Sequence, residues 1–549
     1  MSSDLSSAPD SMEDDASSAP VQATAAGPLR WLRLSHKHSA FSATLLLMSS
    51  TGLSLAIGLV RDAIIAKLYG VSGAADAYRA AFVLPDMINY FLVGGVASIT
   101  FVTILSRYRE QGREREGEDA LASILTMMLV VLGAGVLVAA YYARGYVAWW
   151  FNGFSPEKIT LATHMTRILL PVQLFFFAGG VLSSVLLVRK QFAYQAITPL
   201  IYNLGIIFGG VAFARSLGVT GLAVGALLGV IAGPFLLNLY GVWRIGFRLR
   251  FSLHWAHPGL VEWVKLSLPL MLGVSLVSFD AWIIAHFASH GSGDIARLYN
   301  AKRLFTAPAS LIMSAGVASM PFFASLIQGG KQEEFARTVN STVSRLIALS
   351  LLVSAWMIGL ALPLTNLLLR HGALKSADAT LIAVYLSGFS VSLLFWSSQN
   401  IYGRAFYAAG NTLTPMVAGT LIVLASLPMY WWLYRAHGSL GLVLASNIGI
   451  LAHTLTLALL LDRSGLAPLR GLDWAEIFRA LVAALASLAA LLGLRHLMTA
   501  PLGFIANFVA LLSGTVLWLA ISWLVLRLTH SHLPQLLLEL RRRKQSAPA

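Results

Sequence analysis

Six charged side chains, Arg61, Asp62, Lys67, Asp76, Arg79 and Asp86, fall within 26 positions of an otherwise apolar part of the chain. A second group stands in the second half: Asp280 in the middle of an apolar run, His286 six positions later, then Lys302 and Arg303. No acidic pair or histidine cluster stands at the spacing that a general acid, a general base or a metal would need, so no residue is assigned to catalysis and an enzyme is not expected. What such residues can do is bind. A charge at bilayer depth costs at least about 2.5–3.5 kcal/mol, so each needs a partner or a water-filled cavity. Arg61, Arg79, Lys302 and Arg303 set against Asp76 and Asp280 predict a cavity of positive balance. The planar fork of arginine suits phosphate oxygens and stays charged when partly desolvated, which points to a pyrophosphate. A cationic drug would instead require surplus carboxylates. The competing reading is that Arg61, Lys67 and Arg79 reach an interface by snorkelling, and that Lys302 and Arg303 mark an aqueous boundary. Asp280 must be protonated, or meet a cation or a basic side chain.

The elements that position these groups follow from composition. Hydrophobic residues make up 57% of the 549 and charged residues 11%, with a mean hydropathy of +0.73; globular chains carry about 25% charged residues. This is an all-α polytopic membrane protein, since the apolar runs are long and continuous and lack the alternation of a barrel. With roughly 20 apolar residues per crossing, about fourteen transmembrane helices are expected. There is no cysteine, which excludes disulfides and thiolate metal sites. Residues 1–40 begin with an acidic, Ser/Ala/Pro-rich stretch that has no apolar core, read as a disordered cytoplasmic tail and not a secretory signal. In the fourteen-span reading most of the 39 Lys and Arg side chains lie on the side of the N-terminus, so both termini are expected in the cytoplasm. The net charge of +15 then needs anionic membrane lipids, not nucleic acid, as its partner, above all at Arg541-Arg-Arg-Lys544.

The chain repeats itself. Asp62-Ala-Ile-Ile-Ala66 returns as Asp280-Ala-Trp-Ile-Ile-Ala285, Gly95-Val-Ala-Ser98 as Gly316-Val-Ala-Ser319, and Thr198-Pro199 as Thr414-Pro415. Six spans separate the copies, an even number, so the repeat is parallel and the path runs between two six-helix lobes. The expected division is an N-lobe at 41–243, a cytoplasmic linker at 244–258, a C-lobe at 259–461, two further helices at 462–530, and a basic cytoplasmic tail at 531–549. Gly58 is expected to bend or interrupt the first span, and Gly70 and Gly73 to break its connection to the second.

The stretch Gly58-Leu-Val-Arg-Asp-Ala-Ile-Ile-Ala-Lys-Leu-Tyr-Gly70, with Ala75-Asp76-Ala77, Leu84-Pro85, Asn203, Gly273-Val-Ser275, Arg303-Leu304 and the run Phe406–Pro415, resembles the MurJ/MviN family of lipid II flippases, within the multidrug/oligosaccharidyl-lipid/polysaccharide exporter superfamily. The resemblance covers nearly all of 40–530. It implies a flippase of the bacterial inner membrane, expected to be a monomer, that moves lipid II from the inner to the outer leaflet by alternating access. It also implies that Arg61, Asp76 and Arg303 handle the headgroup or close the lobes, and that the last two helices form a groove for the lipid tail. No cofactor is implied, although coupling to membrane potential or to Na⁺ is. Asp280 with Asn411 and Asn447 is the nearest oxygen set for such an ion. Departures stand beside the matches: Asn89-Tyr90 replace a basic pair, Gly94 an acidic residue, Lys302 an acidic residue and Thr306 a glutamate. Either Arg79 and Lys302 restore the lost charge, or the chain is a divergent paralogue carrying another polyprenyl-pyrophosphate saccharide. A drug or cation antiporter of the same superfamily is the further alternative.

Overall fold

The computed structural model describes residues 40–93, 96–247, 251, 252, 254, 257–272, 276–497 and 503–534. The acidic N-terminal tail, Arg541–Lys544, Gly94, Gly95 and Gly273–Ser275 lie outside them. Among the described residues every regular element is helical, as a solvent unable to hydrogen-bond the backbone demands.

The first half comprises α1 (Ala40–Tyr69), α2 (Gly73–Ala81), α3 (Val83–Ile88), α4 (Val96–Glu110), α5 (Glu114–Trp150), α6 (Pro156–Leu169), α7 (Val172–Val188), α8 (Phe192–Ala212), α9 (Ala214–Leu217), α10 (Thr220–Val230) and α11 (Asn238–Arg244). The second half comprises α12 (Pro258–Leu272), α13 (Leu276–Ala288), α14 (Asp294–Gln328), α15 (Gln332–Gly359), α16 (Ala361–Leu369), α17 (Ser376–Ser390), α18 (Leu393–Ala408), α19 (Leu413–Arg463), α20 (Trp474–Leu497) and α21 (Phe504–Leu528). Among the described residues nine helices are long and apolar enough to cross a membrane, or ten when α17 and α18, bent by 43°, count as one crossing. The expected fourteen differs from that count for a local reason. Several crossings are assembled from broken pieces, and the 51 residues of α19 would reach about 76 Å if straight, far more than one bilayer core.

Gly438 folds α19 back on itself at φ 58°, ψ −140°, a conformation that side chains with a Cβ rarely adopt. Gly218 does the same between α9 and α10 at φ 55°, ψ −136°, 220 positions earlier. Three residues after each stands a second glycine, Gly221 and Gly441, packed against the backbone of the preceding helix at Gly209 and Leu433. This Gly-x-x-Gly-Leu echo is a further sign of the duplication. The Thr-Pro echo is not one, because Pro199 is the eighth residue of α8 whereas Pro415 is the third of α19.

Gly70, at φ 58°, ends α1, and the Ser72 side chain accepts from the Ala75 N–H at 3.2 Å to cap α2, so the two helices part where the glycines suggest. The expected break at Gly58 does not occur, and α1 runs through it. A methyl group at Gly58 would instead collide with the guanidinium of Arg303, so the missing side chain makes room.

In the first half α1 and α10 pack on α8, α2 on α6 and α4 on α7; in the second, α13 packs on α19, α14 on α17 and α18, and α15 on α18. Helices α20 and α21 pair with each other and lean on α15 and α16. The first helix of the second half, α12, packs on α4 and α5 of the first; Trp263 stacks on Phe101 with ring centroids 5.6 Å apart.

Candidate functional site

Asp62 on α1 is the hub. Its side chain is 2% exposed and takes three guanidinium groups: Arg61 at 3.0 Å, Arg79 from α2 at 3.2 Å and Arg303 from α14 at 3.0 Å. Arg61 also donates to Asn203 Oδ1 on α8 at 3.0 Å, and the Arg79 guanidinium lies 3.6 Å from the centre of the Tyr299 ring. Burying three cations around one anion is a poor way to gain stability, because desolvation offsets the attraction. It does hold surplus positive charge in a fixed place.

That charge lines a cavity of about 440 Å³, within the usual range for small-molecule sites. Arg61, Arg79, Lys302 and Arg303 stand on its wall with Asp86, Thr306, Trp282 and the tyrosines 78, 202 and 299. Asp86 is exposed to the cavity, and among the described residues no ion pair holds its carboxylate. Behind the wall, on α13, Asp280 is likewise 2% exposed; Lys302 donates to one of its oxygens and the Tyr430 hydroxyl to the other.

Contacts between the halves close both ends of this space. At one end Asp76 accepts from the backbone N–H groups of Gly293 at 2.6 Å and Ala296 at 3.0 Å, where α14 begins and its dipole favours an anion. Ala373 N–H donates to Lys67 O at 2.9 Å nearby, and His286 Nδ1 lies 2.5 Å from Trp150 O. At the other end Arg107 grips Glu262 of α12 with two nitrogens, at 2.7 and 2.5 Å. Aromatic rings meet between them, Tyr90 edge-on to Trp282 and Phe91 to Phe279.

The sequence model of the family described as "Lipid II flippase MurJ" matches residues 65–524. The chain belongs to this family. It is therefore a multi-pass membrane transporter, not an enzyme, of a bacterial inner-membrane family. Relatives include the probable lipid II flippase MurJ of Buchnera aphidicola, 26% identical over 455 residues, which span 82% of this chain and 89% of that protein. The lipid II flippase MurJ of Burkholderia cenocepacia is 26% identical over 468 residues, with the same two coverages, 82% and 89%. Among solved structures, one titled "Lipid II flippase MurJ, inward closed conformation" shares the fold with a TM-score of 0.73 and 22% identity, covering 88% of this chain and 99% of that one. An inward-facing multidrug resistance MATE family transporter of the MOP superfamily gives a TM-score of 0.61 at 15% identity, covering 78% and 99%.

Of the residues singled out in the sequence, Arg61, Arg79, Lys302 and Arg303 come together on the cavity wall. Asp76 does not join them. It is fully buried, and its carboxylate is engaged by α14 and by Lys158 at 3.4 Å, so it ties the halves together and does not face a substrate. Asp280, Asn411 and Asn447 are not brought together as a set. Asn411 Oδ1 accepts from Thr414 N–H at 3.0 Å in the turn before α19, and Asn447 Nδ2 donates to Gly388 O at 2.8 Å. Sequence reasoning passed over Asp62 as a site residue, although it adjoins Arg61 in the repeated motif. It also passed over Tyr299 and Tyr430, for which no local signal exists. Where the family resemblance leads one to expect a basic pair, Asn89-Tyr90 open a π-helical turn and Tyr90 joins the aromatic seam.

Proposed function

We propose that this chain moves lipid II from the inner to the outer leaflet, with both termini in the cytoplasm, by parting its two closures in turn. The observation that carries this reading is the cavity in which four cations face Asp86 and share Asp62 and Asp280. A pyrophosphate diester would compete with the carboxylates for the guanidinium forks, drawing Arg61, Arg79 and Arg303 off Asp62. Loosening that hub would free the one direct side-chain link that Arg303 makes between α14 and α1. Headgroup binding would thus be coupled to separation of the halves, since a ligand shifts a conformational equilibrium only through contacts that differ between its states. The tyrosines and Trp282 offer faces for saccharide rings, while the polyprenyl tail would stay in lipid along α20 and α21. A drug or cation antiporter fits less well, because it would need a surplus of carboxylates where this cavity has a surplus of cations. Anionic lipids at the cytoplasmic face and a monomeric state complete the proposal.

The test is complementation in a bacterium depleted of its own lipid II flippase. Wild-type chain should restore growth and Arg61→Ala should not, with both proteins detected in the membrane. Rescue by both would remove the cationic cavity from the mechanism. Failure of a membrane-inserted wild type would overturn the lipid II assignment in favour of another polyprenyl-pyrophosphate saccharide.

A further inference from the structure

Asp62 and Asp280 hold equivalent places in the two copies of the repeat, and each is met by a base from the helix that follows: Arg79 for Asp62, Lys302 for Asp280. The two bases are chemically different. Arginine is a planar, permanently charged fork. Lysine is a compact, strongly hydrated point charge on a flexible four-carbon stem. In effect it is a monovalent cation on a tether. The Lys302 ammonium passes 5.8 Å from the centre of the Phe389 ring to reach Asp280, whose other oxygen takes the Tyr430 hydroxyl. The carboxylate is buried, so something positive must sit beside it.

We propose that Lys302 is a built-in cation of the second half: its ammonium fills the place beside Asp280 and Tyr430 that a bound alkali ion would otherwise take, and the chain needs no sodium there. The neighbouring groups agree with this assignment. Tyr430 supplies a donor to Asp280, which suits a carboxylate already neutralised by a base. The amide oxygen of Asn411 is committed to backbone elsewhere. Lys302 also stands on the cavity wall, so the cation that neutralises the second half is the one an incoming anion would meet.

The inference deepens the transport reading, but its test does not use transport, so the two can fail separately. Thermal unfolding of the purified full-length protein is followed in sodium, potassium or choline chloride at equal ionic strength. The wild type should melt at the same temperature in all three. Lys302→Met, which keeps the stem and removes the charge, should melt lower in choline and recover several degrees in sodium, because a cation that binds only the folded state raises its stability. Adding Asp280→Asn to Lys302→Met should abolish the salt response. A sodium-dependent rise in the wild type, or a Lys302→Met protein as indifferent to the cation as the wild type, would overturn the proposal. Should Lys302→Met fail to accumulate in either salt, the wild-type comparison decides alone: equality supports the proposal and a rise in sodium defeats it.

Discussion

Lys302 and Arg303 are adjacent on α14, yet their charged groups neutralise carboxylates in opposite halves of the molecule. Arg303 reaches Asp62 on α1, and Lys302 reaches Asp280 on α13. Successive residues on a helix point about 100° apart, so one turn of α14 serves as a charged partition between the two repeats. Lys302 would keep the second half neutral while Arg303 couples it to the first.

Arg303→Lys should therefore fail although it keeps the charge. The Nε–H that meets Asp62 at 3.0 Å is lost, and an ammonium cannot restore the planar geometry. A hydrogen bond to a charged group contributes about 1.5–3 kcal/mol; if it is needed during transport, the rate should fall roughly 10- to 100-fold. Initial rates in reconstituted vesicles, at matched protein content, measure this.

Gly58→Ala should separate stability from function. Alanine favours a helix interior over glycine by up to about 1 kcal/mol, which offsets part of what the displaced Arg303 contact loses, so the melting temperature should fall only modestly. The new methyl would push the flexible Arg303 guanidinium away from Asp62, and transport should drop. A variant that is both stable and fully active would show that Arg303 has no fixed place in the cycle.

Asp76→Asn should weaken the closure between α2 and α14. The amide keeps one acceptor where the carboxylate has two, and loses the charge that the start of α14 and Lys158 favour. Losing about 1–3 kcal/mol from the closed state would raise the open population by up to roughly 5- to 150-fold. The cysteine-free chain makes this measurable. With Ala281→Cys as reporter on the cavity wall, labelling from the outer face should be faster in Asp76→Asn.

At the opposite end, packing should outweigh charge. The Arg107–Glu262 pair is 44% and 34% exposed, so Glu262→Gln should cost no more than about 1 kcal/mol. Trp263 is buried and stacked on Phe101, and Trp263→Ala should cost about 3–5 kcal/mol. Unfolding of the two variants under one denaturant series would rank them, and the reverse order would make the ion pair the principal lock.

Much of this molecule is legible in residues read one at a time. Composition and long apolar runs determine an all-helical membrane protein, Gly70 and Gly73 mark where α1 gives way to α2, and the depth of Arg61, Arg79, Lys302 and Arg303 predicts that they share a cavity. The repeat foretells two related halves. Tertiary structure alone decided the pairings. A buried charge announces that it needs a partner but not which one, and Asp62 found Arg303 at a separation of 241 residues while Asp280 found Tyr430 at 150. It also moved Asp76 from the cavity to the seam and left the Asn411 amide in the turn before α19. Those outcomes depend on how rigid helices rotate and cross against one another, and that is set by the packing of the whole bundle, not by any local run of residues.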